Sequence, residues 1–261
     1  TKLETISGQY HNFYWKCKDQ LLSNKSTREA FDNDPGPMGV CIERLVFTKL
    51  SESLMNIIRK ENDDLKFSSK IFHLCWVTES HLEIPNVVSS SPKRTILFCS
   101  AQASMRQIAE RISPTGKLKA LSRSCAQIFN LIQEVDIQTP ACADDFFPLL
   151  VYTILKTNPP HIHSHIDFIN LFCQKSAIET GQCAYYFTSF KCAVEFIDKC
   201  EGKSFNISPA LFRENIEASK SEIELTIEAV NIRLENLSKQ RSLLWKSITS
   251  FRQNFNFGEY V

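Results

Sequence analysis

Few residues in this chain have the types and spacing to do chemistry. His161, His163 and His165 alternate in "HIHSH". On a strand that spacing would put three imidazoles on one face, a pattern able to bind Zn²⁺. Here Pro159 and Pro160 precede them, a helix start follows, and no Cys or carboxylate stands at ligand spacing. A solvated polar loop is the plainer reading, and no metal is expected. Asp144 and Asp145 open "ADDFFPLLVYTILKTNPP", which is otherwise almost wholly apolar. Neighbours at a helix start point apart, which disfavours an acid/base pair; the plain alternative is a helix N-cap. The ten cysteines contain no CxxC, and no two are closer than eight residues. They read as buried free thiols of a reducing compartment, with a secreted disulfide framework the minority alternative. Asn24, Asn206 and Asn236 begin N-x-Ser sequons, which such a compartment would leave unmodified. No GxGxxG, Walker A, GxSxG or HExxH occurs, so nucleotide binding, acyl transfer and zinc proteolysis lack their parts, and no cofactor is expected.

The elements that must position these residues read as helices. The chain has 261 residues, 43% of them hydrophobic, enough for one or two domains with a real core. Lys plus Arg is 30 against 29 for Asp plus Glu, a balance that argues against broad binding to nucleic acid or an anionic membrane. Seven glycines leave little material for Gly-rich loops. No signal peptide is visible, the first residue is Thr1, and the chain reads as a fragment of a longer protein. No apolar run approaches the ~18 residues of a membrane-spanning helix.

Tyr10, Phe13, Tyr14 and Trp15 mark a first helix. Phe31 to Gly39 reads as a loop, and Ile42, Leu45, Val46, Leu50, Leu54, Ile57 and Ile58 as an amphipathic helix broken at Lys60 to Asp64. Helical stretches follow near 66–84 and 97–111, with a polar loop at Val87 to Thr95 and a turn at Ile112 to Lys117. Leu118, Leu121, Cys125, Ile128, Phe129 and Ile132 make the next stripe. Phe146 to Leu155 has no polar face and reads as a buried helix, with a buried strand as the alternative. Pro148 then falls in or beside its first turn. Ser164 with Asp167 suggests a capping box, and Thr188 or Ser189 a further cap. In the last third, Ile223, Ile227, Val230, Leu234, Leu237, Leu244, Ile248, Phe251 and Phe255 follow alternating steps of four and three, interrupted at Arg241. That is a coiled-coil seam about four heptads long. It either meets a partner or packs back on its own domain; the bulk of Phe251 and Phe255 favours docking at the end.

Two blocks carry a resemblance: "ADDFFPLLVYTILKTNPPHIHSHIDFINLFC" and "TGQCAYYFTSFKCAVEFIDK". Together with "KIFHLCWVTESHLEIP" and "SPTGKLKALSRSCAQIFNLI" they resemble, in order, the Vps-nine (vacuolar protein sorting nine) domain. "IERLVFTKLSESLM" before and "NISPALFRENI" after resemble the Rabex-five type, so the likeness covers about 20–210. It implies an all-α fold with an N-terminal helical bundle over 1–62, an exchange domain over 63–209 and a C-terminal helix over 210–261. It implies a guanine nucleotide exchange factor for early-endosomal Rab GTPases, without covalent chemistry, cytoplasmic and recruited to early endosomes. An exchange-inactive Rab-binding scaffold is the alternative, and a helical metal-dependent hydrolase on the histidines a weaker third. By the resemblance the catalytic residues are Asp144 and Tyr185. Pro148, Thr188, Asn158, Pro159 and Pro160 would contact the GTPase. The seam of Ile227, Val230, Leu234, Leu237, Leu244 and Ile248 would bind a coiled-coil effector of the Rabaptin type. One departure is Gly181-Gln182, where relatives commonly carry Gly-Glu.

Overall fold

The computed structural model describes residues 2–31, 35–85, 93–135 and 143–254, without side-chain detail at 35, 135, 143 and 251–254. Among the described residues there are eleven α-helices and no strand. They are α1 (Lys2–Ser23), α2 (Lys25–Ala30), α3 (Pro35–Ile58), α4 (Glu61–His73), α5 (Arg94–Glu110) and α6 (Pro114–Val135). Then follow α7 (Ala143–Thr157), α8 (Ile162–Phe172), α9 (Lys175–Glu179), α10 (Gly181–Lys199) and α11 (Pro209–Asn254). Two 3₁₀ turns, Ser80–Leu82 and Gly202–Phe205, join them. The apolar run after Asp145 is helix α7, not a strand.

Several expected loops are shorter, for one recurring reason. Pro35, Pro114 and Pro209 each stand first in a helix. There the missing N–H has no intrahelical partner to lose and the fixed φ suits the helix. Much of the Phe31–Gly39 loop and of the Ile112–Lys117 turn is therefore helix start. Lys60 to Asp64 is likewise less a breaker than a beginning. Glu61, Asp63 and Asp64 fill the first turn of α4, where the helix dipole favours acids.

Two cores result. The larger joins α4–α8 and α10; Phe146, Leu150, Ile154, Phe187 and Ile197 are among its buried side chains. The smaller joins α1 and α3 to α8 through Tyr10, Tyr14, Phe47, Phe168 and Phe172. The α3 stripe is only partly buried: Ile42, Leu54 and Ile58 face in with Met38 and Phe47, while Leu45, Leu50 and Ile57 are exposed. The first turns of helix α11 pack on the larger core through Phe212 and Ile216, with Ser219 buried beyond them, and the helix then leaves it. The seam does not pack back: Ile227, Val230, Leu234, Leu237, Leu244 and Ile248 are 50–65% exposed. The side chains of Phe251 and Phe255 lie outside the described residues. No described helix is long and apolar enough to cross a membrane.

Nine cysteines are described and all are free; Cys142 lies outside the described residues. Among the described residues Cys125, Cys173 and Cys200 are buried, while Cys41, Cys75, Cys99 and Cys192 are exposed, against the expectation of buried thiols.

Candidate functional site

Helix α7 is apolar nearly all round because helices α5, α6 and α10 pack against it. Asp144 and Asp145 lie inside its first turn, after Ala143, so neither is its N-cap. Asp144 is exposed and Asp145 half-buried. Pro148 is the sixth helical residue. It offers no N–H, so the Asp144 carbonyl lacks its usual i+4 donor. The proline is half-buried beside Phe147, Val151 and Phe196 in a second cleft of about 150 Å³.

Two residues along α7 from Asp144, Phe146 belongs to an aromatic cluster. Phe146 of α7 stacks on Phe129 of α6, ring centroids 4.4 Å apart. Tyr185 and Tyr186 of α10 complete it, Tyr185 at 5.9 Å from Phe146 and 6.4 Å from Phe129. Such offset and tilted contacts hold rings firmly. Tyr186 is buried, which pushes its phenol above the usual value. Its Oη accepts from Gln182 Nε2 at 2.8 Å. Position 182 therefore still makes a supporting hydrogen bond, through an amide rather than a carboxylate. Tyr185 is 41% exposed, a large share for a ring resting on a core. It borders a cleft of about 280 Å³ with Phe129, Asn130, Gln133 and Gln182. Thr188 is exposed one turn further along α10. The expectation that Thr188 or Ser189 caps a helix fails, because both lie inside α10.

Asp144 and Tyr185 thus belong to one end of the domain. Asn158, Pro159 and Pro160 belong to the other, about 21 Å along α7 at 1.5 Å per residue. Asn158 takes a left-handed conformation at the helix end (φ 43°). Its N–H bonds Ile154 O, and its Nδ2 donates to Ser68 Oγ at 3.0 Å. Pro159 is buried and Pro160 exposed. This turn ties α7 to α4 and sends the chain into α8.

The histidines are not a solvated loop. His161 stands before α8 at φ 53°, and His163 and His165 are inside it. Asp64 of α4 meets this helix start: its Oδ1 accepts from the N–H of His163 (2.8 Å) and Ser164 (3.4 Å), and its Oδ2 accepts from Ser164 Oγ (2.5 Å). Ser164 therefore makes no capping box with Asp167, which pairs instead with Lys60 at 2.7 Å. His163 Nε2 faces Asp198 at 3.3 Å, and that carboxylate raises its pKa. His165 is buried. Among the described residues no group of three or more His, Cys, Asp or Glu side chains is placed to hold a metal.

Sequence reasoning did not single out Phe129, Phe146 or Tyr186 as the platform under Tyr185. The available signal was that each sits on a buried stripe beside polar Asn130, Gln133 or Gln182.

Against this geometry the relationships are clear. Residues 98–201 match the Vacuolar sorting protein 9 (VPS9) domain. The chain contains a VPS9 domain, formed by the helices that carry Asp144 and Tyr185. It is 36% identical over 169 residues to the Rab5 GDP/GTP exchange factor of Mus musculus, across 64% of this chain and 34% of that one. The Homo sapiens protein of the same name is 35% identical over the same shares. Vacuolar protein sorting-associated protein 9A of Arabidopsis thaliana is 26% identical over 224 residues, across 84% of this chain and 42% of its own. The chain spans about a third of the length of the first of these relatives.

Proposed function

We propose that this chain is a guanine nucleotide exchange factor for Rab GTPases of the early-endosomal, Rab-five class, acting in endocytic traffic. The observation that carries the reading is the pairing of a VPS9 domain with an exposed carboxylate and an exposed phenol at one end. An exchange factor makes no covalent bond. It binds the nucleotide-free GTPase better than the loaded one, and only that difference shifts the equilibrium. Each tenfold of nucleotide affinity to be overcome is about 1.4 kcal/mol.

The role assigned to Asp144 is to enter the phosphate site, repel the phosphates, compete for Mg²⁺, and then pair with the lysine that held them. That pairing spares the GTPase an unpaired buried cation. Tyr185 holds a switch segment through its hydroxyl, with Thr188 beside it and Pro148 fixing the turn that aims Asp144. Asn158, Pro159 and Pro160 enter this reading as the far-end brace or a remote GTPase contact. Helix α11 presents the exposed seam to a coiled-coil effector of the Rabaptin type. The protein works from the cytoplasm on early endosomes.

The test is release of fluorescent GDP from an early-endosomal Rab. Asp144→Ala and Tyr185→Ala should each abolish acceleration, with Asp144→Ala changing stability by no more than about 1 kcal/mol, the usual size of a first-turn acid's interaction with the helix dipole. Rab binding without nucleotide release would make the chain a scaffold instead. If Asp144→Ala unfolds the chain, the role assigned to Asp144 fails.

A further inference from the structure

Between the α1/α3 bundle and the VPS9 domain lies a cleft of about 200 Å³ that the exchange reading does not use. Arg59 follows α3, Arg111 follows α5, Lys117 comes from α6, and His161 and His165 from the start of α8; all five line it. Glu52 and Glu110 line it too. Two guanidinium groups and the Lys117 ammonium against two carboxylates leave the cleft net positive before either imidazole takes a proton.

Two of these side chains are buried without an anion. Lys117 is 2% exposed; its Nζ donates to Ile108 O at 2.9 Å, and among the described residues it has no carboxylate partner. His165 is 4% exposed, and neither ring nitrogen has a hydrogen-bond partner among the described residues. Buried polar nitrogens are ordinarily satisfied and buried charges ordinarily paired. Burial holds the Lys117 ammonium down at about 8. Burial first, then the charges of Lys117, His161 and Arg59, hold His165 at about 3. Glu52 and Glu110 are exposed and neither makes an ion pair within the cleft among the described residues.

We infer that this cleft is a binding site for a single phosphate-type oxyanion, held by Arg59, Arg111, Lys117 and His165. Two cationic forks and an ammonium suit a tetrahedral oxyanion, and charge-assisted bonds of this kind are the strong ones. The space is below the ~300 Å³ of an ordinary small-molecule pocket, which suits one phosphoryl group. Because the residues come from both sides of the boundary, the bound anion clips the bundle to the VPS9 domain.

The probe is inorganic phosphate, titrated at constant ionic strength into the whole chain with ¹⁵N-labelled histidine. The His165 ring resonances should move toward the protonated form and saturate, and the midpoint of thermal unfolding should rise with phosphate. Arg59 is exposed, and among the described residues its guanidinium makes no hydrogen bond or ion pair, so Arg59→Ala should fold normally and weaken binding about tenfold. A parallel titration with glycerol phosphate separates the sources: saturation of the same resonances admits a phosphate monoester, and none confines the site to the free oxyanion. His165 resonances that stay still across the millimolar range would overturn the inference. So would an equal response to chloride, or an Arg59→Ala chain that titrates like its parent.

Discussion

Glu43, Asp64 and Lys117 are buried, and each meets the end of another helix. Glu43 of α3 accepts from Thr115 N and Oγ1 at the start of α6, at 2.8 and 2.6 Å. Asp64 does the same for α8, and Lys117 donates to the last turn of α5. The sign is right in every case, acids at N-termini and a cation at a C-terminus. Lys117 meets the Ile108 carbonyl but, among the described residues, no carboxylate, and His165, whose ring nitrogens have no hydrogen-bond partner among those residues, makes stability depend on pH. Its folded pKa lies below the unfolded value, so the folded state resists protonation. Its contribution is present above about pH 6.5 and is lost as pH falls toward about 3. His163 runs the other way: its raised pKa stabilises below the unfolded value and is lost as pH rises through the folded one. In phosphate-free buffer, His165 alone should therefore cost urea-unfolding stability about 1.5 kcal/mol between about pH 6.5 and about pH 5, offset in part by His163. His165→Phe should flatten that arm. An unchanged acid slope in the variant would show that another group sets it.

At the scale of elements, most of the helices were legible because burial imposes a 3.6-residue period on sequence. The stripe from Leu118 to Ile132 and the apolar run from Phe146 are α6 and α7 in outline. What stayed hidden depends on contacts distant in sequence. Asp64 caps a helix a hundred residues on, so no local box marks it. Pro35 and Pro114 look like breakers until the helices they open are seen. In the candidate site, Asp144 and Tyr185 were named by resemblance, yet their common aromatic footing is a meeting of three helices. Helix α11 shows the remaining ambiguity. Its heptads predict a seam without saying what covers it, and the fold leaves that seam bare beyond Ile223. Phe212 is different: it stacks on Phe205 and meets Trp76 edge-on at 5.8 Å. A chain ending at Lys220 should match the parent in urea within about 0.5 kcal/mol. One ending at Ser208 should lose about 2–3 kcal/mol, because Phe212 and Ile216 are half-buried against the larger core. Equal stability of all three chains would mean that α11 contributes nothing to the core.

At the scale of the molecule, the bundle and the VPS9 domain share one boundary built around α8. Phe168 and Phe172 are buried, but they pack into the smaller core, with Phe47 at 5.4 and 5.7 Å and Tyr10 5.7 Å from Phe172. Removing α1 to α3 would therefore bare two phenylalanines of the VPS9 domain and free the α6 start from Glu43. Each large aromatic buries on the order of 150–250 Å², worth several kcal/mol together at about 25 cal/mol per Å². That is a large part of the ~5–15 kcal/mol that holds an ordinary domain. A chain covering 61–220 should consequently melt far below one covering 2–220, or aggregate, in a thermal unfolding series followed by circular dichroism. Its GDP-release activity at low temperature should persist, because Asp144 and Tyr185 stand on α7 and α10, away from α1 and α3. If the shorter chain melts with the longer one, the bundle is an independent domain and its aromatic contacts with α8 carry little of the fold.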